Sequence, residues 1–155
     1  MDTYRAFYIQ HKSKLFSYLM RMTGDFELSG DIMQESFARH LEHYGDHKNN
    51  HVSLLYTIAR NALFDHFRKQ ARQTQIQQDL PDETDEERQM MVREEYRRVL
   101  EGLQQLEADD RDIISLAVSG NLSYRDIACI VGTSESNIKV RIHRIRLKLK
   151  KILEI

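Results

Sequence analysis

The stretch Tyr124–Arg146, YRDIACIVGTSESNIKVRIHRIR, holds the residue types that bind a polyanion. Lys139, Arg141, Arg144, Arg146, Lys148, Lys150 and Lys151 follow one another with no acid among them. Phosphates are neutralised by such cations, and base edges are read by Arg, Lys or Asn. Just upstream lies Ala128, small where two helices would cross, then Gly132, suited to a tight turn. Ile138 follows as an apolar anchor, and Ser123 and Thr133 or Ser134 are of the type that caps a helix start. Two helices around a tight turn, the second one basic, form the pattern of a helix-turn-helix, whose second helix enters a DNA major groove.

A second constellation lies earlier. Asn61, Asp65, Arg68 and Arg72 fall at steps of four, three and four. Val52, Tyr56, Ala59, Leu63 and Phe67 repeat at helical spacing on a different face. One face joins a core while the other meets something outside. His40, His43, His47 and His51 include spacings found in metal sites, but no Cys joins them and they sit at a helix end, so no metal and no cofactor is expected. Cys129 is the one cysteine and reads as a small core or near-surface residue. No nucleophile with a base and no acid–base pair stands out, so the chain does not read as an enzyme.

These residues need a scaffold, and composition says which kind. With 155 residues the chain makes one ordinary domain or two small ones. An apolar share of 41% and a charged share of 30% exclude collagen-like, disulfide-stapled and wholly disordered chains. No window reaches the ~18–20 apolar residues of a membrane span, and the start has no signal-peptide pattern, so no membrane insertion and a cytoplasmic location are expected. The single cysteine suits a reducing compartment. Six glycines and one proline leave long stretches unpunctuated, and no period-2 alternation is visible, so the fold class is all-α. The net charge of −1 hides the basic C-terminal segment, which points to a local polyanion site.

The spacing predicts helices over Thr3–Met22, Phe26–Tyr44 with Asp25 as cap, and Val52–Arg72. The acidic, Gln-rich run 73–85 contains Pro81 and reads as a linker. Further helices are expected over Glu86–Leu106, from an Asp109 or Asp110 cap to near Gly120, over Tyr124–Val131, and from Thr133 or Ser134 to about Leu153. The outcome is two small helical domains, 1–72 and 86–155, joined by the linker 73–85.

The run Leu103–Leu153 resembles the C-terminal DNA-binding domain, region 4, of bacterial extracytoplasmic-function (ECF, group 4) RNA polymerase sigma factors of the sigma-70 family. SGDIMQESF, Ser29–Phe37, resembles that family's segment around an Asp-Leu-x-Gln-Glu core. LLYTIARNALFDHFRK, Leu54–Lys69, resembles its promoter-melting helix in region 2. The three motifs come in the family's order and cover nearly the whole chain.

The resemblance implies an alternative sigma factor that binds core RNA polymerase, recognises the −35 and −10 promoter elements and promotes strand opening. Asp31, Ile32, Gln34 and Glu35 would dock on the polymerase β′ clamp helices, and region 4 would also meet the β flap. Lys48, Asn49, Asn50 and His51 would form the −10 specificity loop, with Tyr56 and Asn61 at the melted strand and Arg60, Arg68, Lys69 and Arg72 on phosphates. An amide offers donors and an acceptor, so Asn61 is suited to the edge of an extruded base. Ser136, Asn137, Lys139, Arg141, His143, Arg144 and Lys148 would carry the −35 contacts. An anti-sigma factor is a further partner compatible with the family. The chain departs from the family's pattern at Leu54, where tryptophan is usual, at Gly30, often Glu, and at Asn137, usually Thr. Two other readings stay open on the residues alone. One is a stand-alone dimeric helix-turn-helix regulator, and the other a sigma-like adaptor without transcription activity.

Overall fold

In the computed structural model the described residues are 2–44, 52–74 and 94–154. They form seven helices and no strand: α1 (Asp2–Thr23), α2 (Phe26–Tyr44), α3 (Val52–Thr74), α4 (Glu94–Gln104), α5 (Ala108–Ala117), α6 (Tyr124–Val131) and α7 (Glu135–Leu153). The expected linker 73–85 lies outside the described residues except for the end of α3, as does the first part of the helix expected from Glu86.

Local signals set most boundaries. Gly24 closes α1 in the left-handed region at φ 66°, with its N–H bonded to Met20 O at 2.8 Å. Asp25 then caps α2, its Oδ1 accepting from Leu28 N at 3.0 Å. Ser123 and Asp126 form a reciprocal capping box on α6, both bonds at 3.0 Å, and Gly132 ends that helix at φ 79°. Ser134 starts α7 by accepting from Asn137 N at 3.1 Å. The start of α5 differs from expectation. Glu107 is its N-cap residue and makes no side-chain cap bond, while Asp109 and Asp110 lie inside the first turn, where the helix dipole favours acids. The helix ends at Ala117, short of Gly120.

In the N-terminal half α2 packs on both α1 and α3. Leu15, Leu19, Met22, Ile32, Phe37, Leu55, Ala59 and Leu63 fill that core. The C-terminal half closes α5, α6 and α7 over Leu103, Ile113, Leu116, Ile127, Ile138, Ile142 and Ile145. Gly102 permits a close approach there, because a Cβ would stand 2.7 Å from Leu153 Cδ2. The spacing of Val92, Tyr96, Val99, Leu103 and Leu106 predicts one apolar stripe on the helix expected from Glu86. Tyr96 and Val99 are exposed, whereas Leu100, Leu103 and Leu106 are buried, so the inward face is rotated from the one expected. Leu41 of α2 is exposed as well.

The two halves touch. α1 packs on α4 and α5, and α3 packs on α6. This seam brings the −10 helix of the sequence reading against the C-terminal half.

Candidate nucleic-acid interface

Helix α7 carries its cations away from the core. Ile138, Ile142 and Ile145 are buried, and they fix which side chains point outward. Ser136, Lys139, His143, Arg144 and Arg146 are exposed together, interrupted by the exposed apolar side chains of Val140 and Leu147. Arg141 and Lys148 lie on a flank that turns toward α5. There Asp110 accepts from Arg141 Nη2 at 3.4 Å and from Lys148 Nζ at 3.0 Å. Asn137 is exposed at the helix start and donates from Nδ2 to Thr133 Oγ1 at 2.8 Å. The expected −35 set therefore divides into an outward face and an acid-clamped flank. Sequence reasoning assigned Asp110 no role beyond a cap, because the pairing spans 31 and 38 residues.

On α3, Asn61, Arg68, Lys69 and Arg72 are exposed along one face, with Arg68 paired to Asp65. Tyr56 and Arg60 are placed differently. Tyr56 has no exposed surface and meets Tyr18 edge-on with ring centroids 5.4 Å apart. Arg60 stacks over Phe64, 4.8 Å from the ring centroid, and donates from Nε to Asp112 Oδ2 at 2.6 Å. In this arrangement Tyr56 is out of reach of DNA and Arg60 is already paired, because the C-terminal half covers that end of α3. Lys48, Asn49, Asn50 and His51 lie outside the described residues.

On α2, Asp31, Gln34 and Glu35 are exposed at i, i+3, i+4 spacing, and Glu35 pairs with Arg39 at 2.5 Å. Ile32 belongs to the core at 4% exposure, so it orients this face and is no part of its surface. His40 is likewise a core residue. Its ring stacks on Phe7 with centroids 4.9 Å apart, and its Nδ1 lies 3.0 Å from the Tyr4 hydroxyl. Burial pushes the Tyr4 phenol up to about 12. Among the described residues no group of His, Cys, Asp and Glu is arranged to hold a metal ion. Cys129 is exposed.

Burial also sets the charge states of the seam. It raises the Tyr18 phenol well above its ordinary value, and the Asp112 carboxylate beside it adds to the effect. Burial, with Lys14 nearby, lowers the pKa of His11, whose Nδ1 lies 3.1 Å from Asn121 Nδ2.

The described helices can thus present an acidic face, a polar and basic face and a basic helix-turn-helix to separate partners. The sequence matches the family models described as Sigma-70 region 2, over residues 7–73, and Sigma-70, region 4, over residues 96–149. It is 30% identical over 152 residues to the ECF RNA polymerase sigma factor SigL of Mycobacterium tuberculosis, covering 90% of this chain and 82% of SigL. The chain belongs to the ECF RNA polymerase sigma factors.

This sigma factor is also 29% identical over 147 residues to SigM of Bacillus subtilis, covering 92% of this chain and 90% of that one. Its fold is that of the sigma factor RpoE solved with the anti-sigma factor NepR from Bartonella quintana, at a TM-score of 0.80 and 21% identity, over 100% of this chain and 99% of RpoE. CnrH, solved with the cytosolic domain of CnrY, gives a TM-score of 0.71 at 22% identity over 97% of this chain and 87% of CnrH. The protein is an alternative sigma factor for transcription initiation, and α6 and α7 are the helix-turn-helix of its region 4. Among the described residues no helix is long and apolar enough to cross a membrane.

Proposed function

We propose that this sigma factor is of the group 4 type, with region 2 over residues 1–72, a tether over 73–85 and region 4 over 86–155. The exposed Asp31, Gln34 and Glu35 of α2 dock on the β′ clamp helices of core polymerase, and region 4 engages the β flap. Asn61 takes a base of the melted −10 strand while Arg68, Lys69 and Arg72, with Lys48, Asn49, Asn50 and His51 before the helix, hold that strand. The outward face of α7 reads the −35 element through Ser136, Lys139, His143 and Arg144, with Arg141 and Lys148 on phosphates.

The chain makes and breaks no bond in this scheme. Strand opening is favoured because the melted state offers contacts that the duplex does not, which offsets an unpairing cost of a few kcal/mol. The protein works in the bacterial cytoplasm, on the nucleoid when in holoenzyme. The complexes of RpoE with NepR and of CnrH with CnrY support an anti-sigma partner for this chain too.

The observation that carries this reading is the outward basic face of α7, held in register by the double cap at Ser123 and Ser134 and by the buried Ile138, Ile142 and Ile145. Run-off transcription with purified core polymerase on a promoter library tests it. Transcripts should start at discrete promoters only when the protein is added. Polymerase binding without any transcript would make the chain a sigma-like adaptor. Tight duplex binding by a dimer without polymerase would make it a stand-alone regulator.

A further inference from the structure

Val140 is 47% exposed and stands at the middle of the face that α7 turns outward. Ile138, Ile142 and Ile145 fix the inward side. At about 3.6 residues per turn, Val140 points roughly 170° away from the centre of that stripe. Ser136, His143 and Arg144 surround it at i−4, i+3 and i+4, and all three are exposed. Lys139 and Arg141 lie farther round, one on each flank. The register is set from the helix start, where Ser134 accepts from Asn137 N at 3.1 Å. Val140 therefore falls in the second turn of a helix that begins at Glu135, within the N-terminal part that meets base edges in a helix-turn-helix.

An apolar side chain at this place exchanges no hydrogen bonds with a base. Pressed against a carbonyl, amino group or ring nitrogen, it strips that group of water and gives nothing back. One group in the major groove is different. Thymine alone among the four DNA bases projects a C5-methyl there, and covering it with an apolar side chain is favourable. The cations on the two flanks suit the phosphates of the groove walls, which leaves the line through Val140 for the groove floor. Leu147 lies on the same line but about 10 Å farther along the helix axis, past the turns that read bases.

We propose that Val140 is a specificity-determining residue: its methyl groups pack on the C5-methyl of one −35 thymine, so the chain prefers thymine at that position. This rests on α7 reading the −35 element. It adds to the polar contacts of Ser136, Lys139, His143 and Arg144 one that involves no hydrogen bond.

The test uses holoenzyme on a promoter that gives a discrete run-off transcript. Each −35 thymine, on either strand, is replaced in turn by deoxyuridine, which lacks only the C5-methyl. Promoter binding is measured with wild type and Val140→Ala, and base preference across single-base −35 variants with both and with Arg144→Ala. In the wild type one deoxyuridine should weaken binding about fourfold, the effect of losing one buried methyl-sized group, and the others should not. In Val140→Ala that same replacement should have little effect. Val140 is exposed and alanine favours a helix, so the variant should fold, which circular dichroism and holoenzyme assembly check. The absence of any deoxyuridine-sensitive position overturns the proposal. So does a position that stays equally sensitive in Val140→Ala. If Val140→Ala weakens binding alike on thymine and deoxyuridine templates, the side chain meets protein and not a base, and the proposal again falls. In each of these cases Arg144→Ala separates the two assignments. Flattened preference at a −35 position in Arg144→Ala removes Val140 alone, whereas unchanged preferences in both variants remove α7 as the −35 reader.

Discussion

Lys148 Nζ lies 3.0 Å from Asp110 Oδ2, and the same carboxylate holds Arg141 on the other side. One acid at the start of α5 thus restrains two cations of the DNA-reading helix. Asp110 is 13% exposed at its side chain, enough shelter for the pairing to matter, while Lys148 keeps 59%. A cation that reaches phosphate only after leaving an acid gains less from DNA than a free one.

Asp110→Asn should release both. Duplex binding by the holoenzyme should strengthen on all sequences, and the slope of log affinity against log salt should steepen by up to about two units, one for each freed cation. Base preference should not change. A titration at several salt concentrations checks this, and an unaltered slope means that Arg141 and Lys148 do not meet phosphates.

Asn61→Ala should leave holoenzyme assembly intact and reduce open-complex formation. A premelted promoter should restore part of the loss, since an unpairing cost of a few kcal/mol is then already met. Permanganate footprinting of the two templates checks it. Equal opening of the duplex promoter by variant and wild type would take Asn61 out of the melted-strand site.

Charge reversal at Asp31 and Glu35 should weaken core polymerase binding without loss of helicity, because both side chains are exposed and neither belongs to the core. Breaking the Glu35–Arg39 pair is worth only about 0.3–0.5 kcal/mol to the helix. Unchanged affinity for core polymerase in a pull-down titration would remove this face from the account.

Acid should loosen the seam between the halves. His11 is buried with its pKa lowered below 6.5, so the neutral ring is the form that fits, and a protonated Nδ1 cannot accept from Asn121. The stabilisation from a neutral His11 is complete above the unfolded value of about 6.5 and is lost as pH falls through the lower folded value. Thermal unfolding scanned from pH 7 downward should show a drop that sets in below the unfolded value of about 6.5 and that His11→Gln flattens. A parallel drop in both proteins would assign the acid sensitivity elsewhere.

The helix-turn-helix was legible because each signal is local. Ser123, Asp126, Gly132 and Ser134 act within four residues of their partners, and the Ile138–Ile142–Ile145 spacing reports its own buried face. The α2 face was partly legible. Asp31, Gln34 and Glu35 are exposed, but Ile32 sits in the core although it falls inside the same motif. Tyr56 falls on the apolar stripe of Val52, Ala59, Leu63 and Phe67, so its burial was legible in the spacing although the resemblance put it at the melted strand. Asp112 and Asp110 were not legible. Their partners lie 31 to 94 residues away, and helical periodicity carries no information about which helix comes to rest on which. The rotated α4 face has the same origin, since α1 and α7 both press on that helix from outside its own pattern.

The central claim is that the outward face of α7 reads the −35 element, and the most direct measurement is transcription across every single-base −35 variant with wild type and Arg144→Ala holoenzymes. A lost base contact costs about 1–3 kcal/mol and relaxes preference at one position, whereas a lost phosphate contact weakens every sequence alike. The account predicts that Arg144→Ala flattens discrimination at one −35 position and leaves the others as they were. Identical base preferences in the two holoenzymes would contradict it.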